Sequence, residues 1–171
     1  MAINGILFDN QSPTAKGLRG GFHSALSDGI LEGCNISYSG GTLTIGSGLV
    51  HAAGGIFSIA GGETIAISGT SGYERIIINI DLSQASTTEL FNQVYFTHDH
   101  ATATNTFTNL TQQNINTGGG TIYQAELCIV SLGGNGITGV VRKSIASAKI
   151  QYGNTLPSDA PEGTIFLLKV T

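Results

Sequence analysis

Tyr73-Glu74-Arg75-Ile76-Ile77-Ile78-Asn79-Ile80-Asp81-Leu82 is the stretch that decides the fold. Successive side chains of a strand point to opposite faces. Ile76, Ile78, Ile80 and Leu82 therefore share one face, and Arg75, Ile77, Asn79 and Asp81 share the other. Ile77 makes the second face partly apolar, which predicts a central strand. Towards the N-terminus, residues 34–38, 42–45, 49–51, 56–59 and 64–67 read as short strands, separated by Gly40-Gly41, Gly46-Ser47-Gly48, Gly54-Gly55 and Gly61-Gly62. Short strands at intervals of roughly 8–10 residues describe a meander in a sandwich or barrel. Towards the C-terminus, residues 90–100, 121–132, 137–142 and 164–170 read as further strands.

The remaining segments are of other kinds. Residues 101–120 are rich in Thr, Asn and Gln and poor in core residues, which predicts a long polar hairpin or an arm. Residues 153–163 form a polar loop carrying Pro157 and Pro161. The one helix is expected near 13–28. Pro13 and Thr14 stand at its start, Leu18, Phe22, Ala25 and Leu26 form an apolar stripe, and Ser27-Asp28-Gly29 closes it. Gly17, Gly20 and Gly21 each weaken it by up to ~1 kcal/mol relative to Ala, so packing must hold it. The expectation is a single all-β domain over 1–171, a β-sandwich or flattened barrel with one short N-terminal helix. Its core should hold Leu43, Ile45, Ile65, Ile67, Ile76, Ile78, Ile80, Leu127, Ile129 and Phe166.

Composition narrows the function classes. Of 171 residues 25 are glycine, and only 11% are charged against a usual ~25%. Seven Lys and Arg against eleven Asp and Glu give a net charge of −4, with no basic run. Clustered cations drive binding to nucleic acid and to anionic membranes, so neither is an expected partner. No stretch approaches the ~18 apolar residues of a membrane span. The first residues lack a positively charged region, so no signal peptide is expected. Without one, the glycosylation matches at Asn35-Ile36-Ser37 and Asn109-Leu110-Thr111 carry no meaning. Cys34 and Cys128 lie in apolar strand-like segments and read as buried thiols, while a disulfide between them stays open.

Few motifs suggest chemistry. Gly134-Asn135-Gly136-Ile137-Thr138-Gly139 fits a dinucleotide fingerprint, with Asp159 at the spacing of a ribose-binding acid. That fingerprint must open a helix. Here Val140-Val141 continues as strand, so the glycines read as a hairpin turn and no cofactor is expected. No nucleophile elbow, phosphate loop or zinc-protease motif occurs, and the carboxylates are scattered, so no catalytic residues are assigned. His98-Asp99-His100 puts two imidazoles on one strand face. Two ligands are too few for a closed metal site, but three copies about an axis would supply six nitrogens, suited to an octahedral transition metal. The competing reading of the pair is a solvated strand end. His23 and His51 are isolated and read as surface or packed residues.

The order of segments resembles a family of tailed-phage structural proteins, the baseplate and tail-tip components. Ser24-Ala25-Leu26-Ser27-Asp28-Gly29-Ile30 is similar to that family's helix end, and residues 34–67 to its Gly-rich meander. Residues 73–82 resemble its central strand, residues 122–130 its following long strand, and Val140-Val141-Arg142 its closing one. Gly163-Thr164-Ile165-Phe166-Leu167 resembles a common phage-fibre ending. Arg142-Lys143 departs from the family by lacking an Asp before Arg. Many relatives continue into a fibre or receptor-binding domain where this chain stops at Thr171, which favours an adaptor role. The resemblance implies a non-enzymatic virion protein of the tail, made in the host cytoplasm, with other tail proteins as partners. Some phage fibres bind iron through a His-x-His of this kind, so His98 and His100 become candidate metal ligands across a trimer axis. A homotrimer is expected, with residues 101–120 reaching a neighbouring copy. The alternative is a carbohydrate-binding module for a host-surface glycan, using Tyr38, Tyr73, Tyr95, Tyr123 or Tyr152 as platforms.

Overall fold

The structure is a computed structural model. It describes residues 14–87, 91–143 and 146, and the strand backbone of 151–153 and 166–168. Pro13, Pro157, Asp159, Pro161 and the side chains of Tyr152 and Phe166 lie outside the described residues.

The molecule is all-β with one short helix. Helix α1 (Ala15–Ala25) precedes β1 (Gly29–Gly33), β2 (Ile36–Ser39), β3 (Thr42–Ile45), β4 (Gly48–Ala52), β5 (Gly55–Ile59) and β6 (Glu63–Ala66). Then come β7 (Gly72–Asp81), β8 (Val94–Ala101), β9 (Ile122–Gly133) and β10 (Gly136–Arg142). The strand pieces β11 (Gln151–Gly153) and β12 (Phe166–Leu168) pair in parallel. One layer is the antiparallel sheet β10-β9-β7-β8. Facing it are two three-stranded sheets, β1-β4-β5 and β2-β3-β6. Their inward residues interdigitate in one core that includes Ile30, Leu43, Ile45, Val50, Ile76, Ile78 and Leu127. The layers meet at one end, where the Ile137 amide donates to the Gly40 carbonyl at 3.0 Å.

The central position expected of β7 is observed. It lies between β8 and β9, and residues 74–81 are all buried. The core differs from expectation at two places on the described residues. Ile65 is only partly buried, because it lies on β6, the edge of its sheet. Ile129 is partly exposed, because the β7–β9 register shifts between Ile76, which pairs with Cys128, and Ile77, which pairs with Glu126. Leu127 is the extra residue of this β-bulge. The bulge turns two consecutive residues, Leu127 and Cys128, into the core and moves Val130 there in place of Ile129. Both cysteines are free and buried.

Thr14 caps α1, its hydroxyl accepting from the Gly17 amide at 3.0 Å. Packing holds the helix, but through a different face from the stripe read in the sequence. None of its residues is fully buried, and Phe22 is 42% exposed. Arg19 and His23 meet the β4–β5 turn instead. Gly54 in that turn has φ +84, and a Cβ there would overlap the Arg19 carbonyl. Only glycine allows both the left-handed backbone and the close approach. Gly134-Asn135 joins β9 to β10 as a two-residue hairpin loop, and Gly136 and Gly139 lie in β10, so the dinucleotide-like glycines open no helix.

Residues 102–121 fold back so that 111–113 run antiparallel to 122–124, the Gln113 amide donating to the Ile122 carbonyl at 3.2 Å and the Gln124 amide to the Thr111 carbonyl at 2.8 Å. Within this segment the only ladder contact is the isolated bridge from Gln112 to Tyr123. The segment lies back on its own sheet, held by amide side chains. The Thr111 amide donates to Gln124 Oε1 at 2.8 Å, and the Thr121 amide donates to Gln113 Oε1 at 2.8 Å. Ile115 anchors it in a second apolar cluster with Ala52, Ile80, Tyr123 and Ala125. The second face of β7 supplies a polar partner to this polar segment, Arg75 donating to the Thr108 carbonyl.

Candidate functional site

Strands β7 and β8 pair without interruption, from Tyr73 opposite Ala101 to Ile80 opposite Val94. This register sets two groups of polar side chains on opposite faces of one ribbon.

On the core-side face, Glu74 stands opposite His100, with His98 two residues along. As the spacing predicts, both imidazoles face the same way. The buried Glu74 carboxylate joins them: His98 Nδ1 donates to Oε2 at 2.9 Å and His100 Nδ1 donates to Oε1 at 3.1 Å. Carboxylates accept only, so each Nδ1 carries a hydrogen and each Nε2 is the free ring position. The histidine side chains are 39% and 48% exposed, against 7% for Glu74. A carboxylate on the far ring nitrogen is the usual outer partner of a metal-bound histidine. The donor set thus fits two metal ligands per chain. Among the described residues no group of three or more His, Cys, Asp or Glu is placed to hold a metal. The bland reading of a solvated strand end is incomplete as well, because Glu74 orders both rings.

On the opposite face, Arg75 binds Asp99 through two parallel bonds, Nε to Oδ1 at 3.1 Å and Nη2 to Oδ2 at 2.6 Å. Nη2 also donates to the Thr108 carbonyl at 2.7 Å, and the guanidinium lies 4.8 Å from the centre of the Phe107 ring. Asn79 continues the layer. Its Nδ2 donates to Thr97 Oγ1 and its Oδ1 accepts from Gln124 Nε2, each at 2.8 Å. Residues 104–112, with Arg75 and Glu126, line an open cavity of about 480 Å³.

A third group joins the helix end to the sheets. Asp28 Oδ2 accepts from the Tyr123 hydroxyl at 2.7 Å, and Oδ1 accepts from the Ala53 amide at 2.9 Å. Burial, with the adjacent Asp28 carboxylate, pushes the Tyr123 phenol well above the usual tyrosine range. His51 is wholly buried, and its Nδ1 donates to the Ser27 carbonyl at 3.0 Å. Every functional atom of Asp28 is committed to holding backbone and phenol, so this group is structural.

Three of these contacts are not readable from the sequence. Glu74 lies 24 and 26 residues from its histidines, and only the β7–β8 register reveals the contact. Asp28 and Tyr123 are 95 residues apart. Of the tyrosines expected as sugar platforms, Tyr38 and Tyr95 are exposed, Tyr73 is half-buried and Tyr123 is buried. No helix among the described residues is long and apolar enough to cross a membrane. Neither a protein-family model nor a curated protein sequence matches the chain.

Proposed function

We propose that the protein is a structural component of a phage tail or baseplate, an adaptor or fibre-base protein that works through protein–protein interfaces and carries out no catalysis. The observation that carries this reading is the open edge of β8. Its eight residues pair with β7 on one side, and no further strand stands on the other among the described residues. An unbroken edge without Lys, Pro or a bulge is a template for strand addition by another chain. Apolar groups flank it: Phe91 is 60% exposed and Tyr95 45%. A groove of about 700 Å³ runs between β8 and the edge strands β5 and β6. Interface cores are depleted of charge, which agrees with a chain only 11% charged.

In this reading the assembly is a homo-oligomer, a trimer, docked to other tail proteins. About a three-fold axis the Nε2 atoms of His98 and His100 would provide six metal ligands, with Glu74 fixing the rings. Gold-labelled antibody against the chain, applied to phage particles from the producing strain, tests the reading in the electron microscope. Label confined to the tail end is the expected result, and unlabelled particles with the protein free in the lysate contradict it. A gene beside tail-tape and distal-tail genes would agree.

A further inference from the structure

The cavity over Arg75 has a composition that assembly does not require. Arg75 is held rigidly: Nε and Nη2 are taken by Asp99 and the Thr108 carbonyl, while Nη1 makes no hydrogen bond among the described residues. Glu126 lines the same cavity. It makes no hydrogen bond or ion pair among the described residues, although a guanidinium shares its pocket. Asn105 and Asn109 also line the cavity, and their side chains have no hydrogen-bond partner among the described residues. Gln112 donates through Nε2 to the Gln124 carbonyl, and its Oε1 has no partner among the described residues. The Phe107 ring forms one wall.

Residues that carry donors and acceptors thus line a space of about 480 Å³, within the ~300–1,000 Å³ of small-ligand sites. The polar lining disfavours an apolar ligand. A hydroxyl both donates and accepts, so a ligand carrying several hydroxyls matches such a lining group for group. A ring with an apolar C–H face would rest against Phe107. Arg75 is neutralised by Asp99, so the Glu126 carboxylate leaves the lining with an excess negative charge. That excess repels acidic sugars and admits neutral ones.

We propose that this cavity is a binding site for a neutral saccharide unit, with Glu126, Asn105, Asn109 and Arg75 Nη1 as its hydrogen-bonding groups and Phe107 as its stacking wall. The site differs from the tyrosine platforms read in the sequence and is independent of tail assembly, so labelled tails are compatible with its failure.

Saturation-transfer NMR on the full chain tests it, with the methyl glycosides of glucose, galactose, mannose and N-acetylglucosamine, and with glucuronic acid, as probes. At least one neutral glycoside should bind, and glucuronic acid should not. Glu126→Ala and Asn109→Ala, each checked for an unchanged melting temperature, should weaken that binding at least tenfold, and Tyr38→Ala should leave it unaltered. The proposal is overturned if no neutral glycoside binds at 10 mM (a concentration of about that order exposes even a ~1 mM site). It is equally overturned if glucuronic acid binds as well as the neutral probes, or if neither cavity variant weakens binding.

Discussion

The two faces of the β10-β9-β7-β8 sheet are both covered, by opposite means. One face presents Ile76, Ile78, Cys128 and Val130 to the apolar core. The other joins Arg75 to Thr108 and Gln124 to Thr111 of the covering segment and ties Asn79 to Thr97 and Gln124 within the sheet, all by hydrogen bonds. Burial on the first face is driven by removing apolar area from water, and any apolar side chain of the right volume serves. Burial on the second face works only if each polar group finds its partner, since an unpaired buried group costs about 1–3 kcal/mol. The faces should therefore break differently.

Ile78→Ala strikes the apolar face and should give the largest loss, about 3–4 kcal/mol by urea denaturation, because it leaves a cavity between close-packed layers. Arg75→Ala strikes the polar face and should cost about 2–3 kcal/mol. That is below the ~3–5 of a fully buried broken pair, because Asp99 keeps 25% exposure. The double change Arg75→Met with Asp99→Leu should cost less than Arg75→Ala alone, since it leaves no orphaned carboxylate. If Arg75→Ala costs no more than the ~0–1 kcal/mol of a surface pair, the polar face is not a structural layer.

Smaller effects of pH should also separate the faces. Burial, reinforced by Glu126, pushes the Cys128 thiol up to about 12. A group raised in the folded state stabilises fully below its unfolded value, here near 9, and that stability is lost as pH rises through the folded value. Melting temperature should fall between pH 9 and 12, and Cys128→Val should flatten the fall. The Asp81 carboxyl, at the end of the polar face, is lowered by hydrogen bonds from the Ser83 side chain, then from Gln84 and the Ser83 amide. Its contribution is present above the ordinary carboxyl value of 3.8 and is lost as pH falls through the lowered one. Asp81→Asn should flatten the acid limb of the melting profile, the smallest of these effects.

The apolar face was legible in the sequence and the polar face was not. Alternation of isoleucines on β7 marks a strand covered on both sides, and Gly-rich turns space the others. The bulge at Leu127 was hidden, because an inserted residue in an apolar run leaves no mark in Leu127-Cys128-Ile129-Val130. The cover formed by 102–121 was hidden too, since Thr, Asn and Gln carry no periodic signal and a partner is needed to bury them. Of the Glu74–His98–His100 group, the shared face of the histidines followed from period two, whereas Glu74 depended on a pairing between strands. The cavity around Glu126 depended on both the bulge and the cover.

The central claim is that the polar segment closes its own sheet within one chain. Amide hydrogen exchange over residues 107–124, followed at dilute and concentrated protein, measures this directly. The amides of Thr111, Gln113 and Gln124 bond across the segment and β9. The account predicts protection of these amides that is the same at both concentrations. Protection that appears only in concentrated protein, or fast exchange at both, would contradict it.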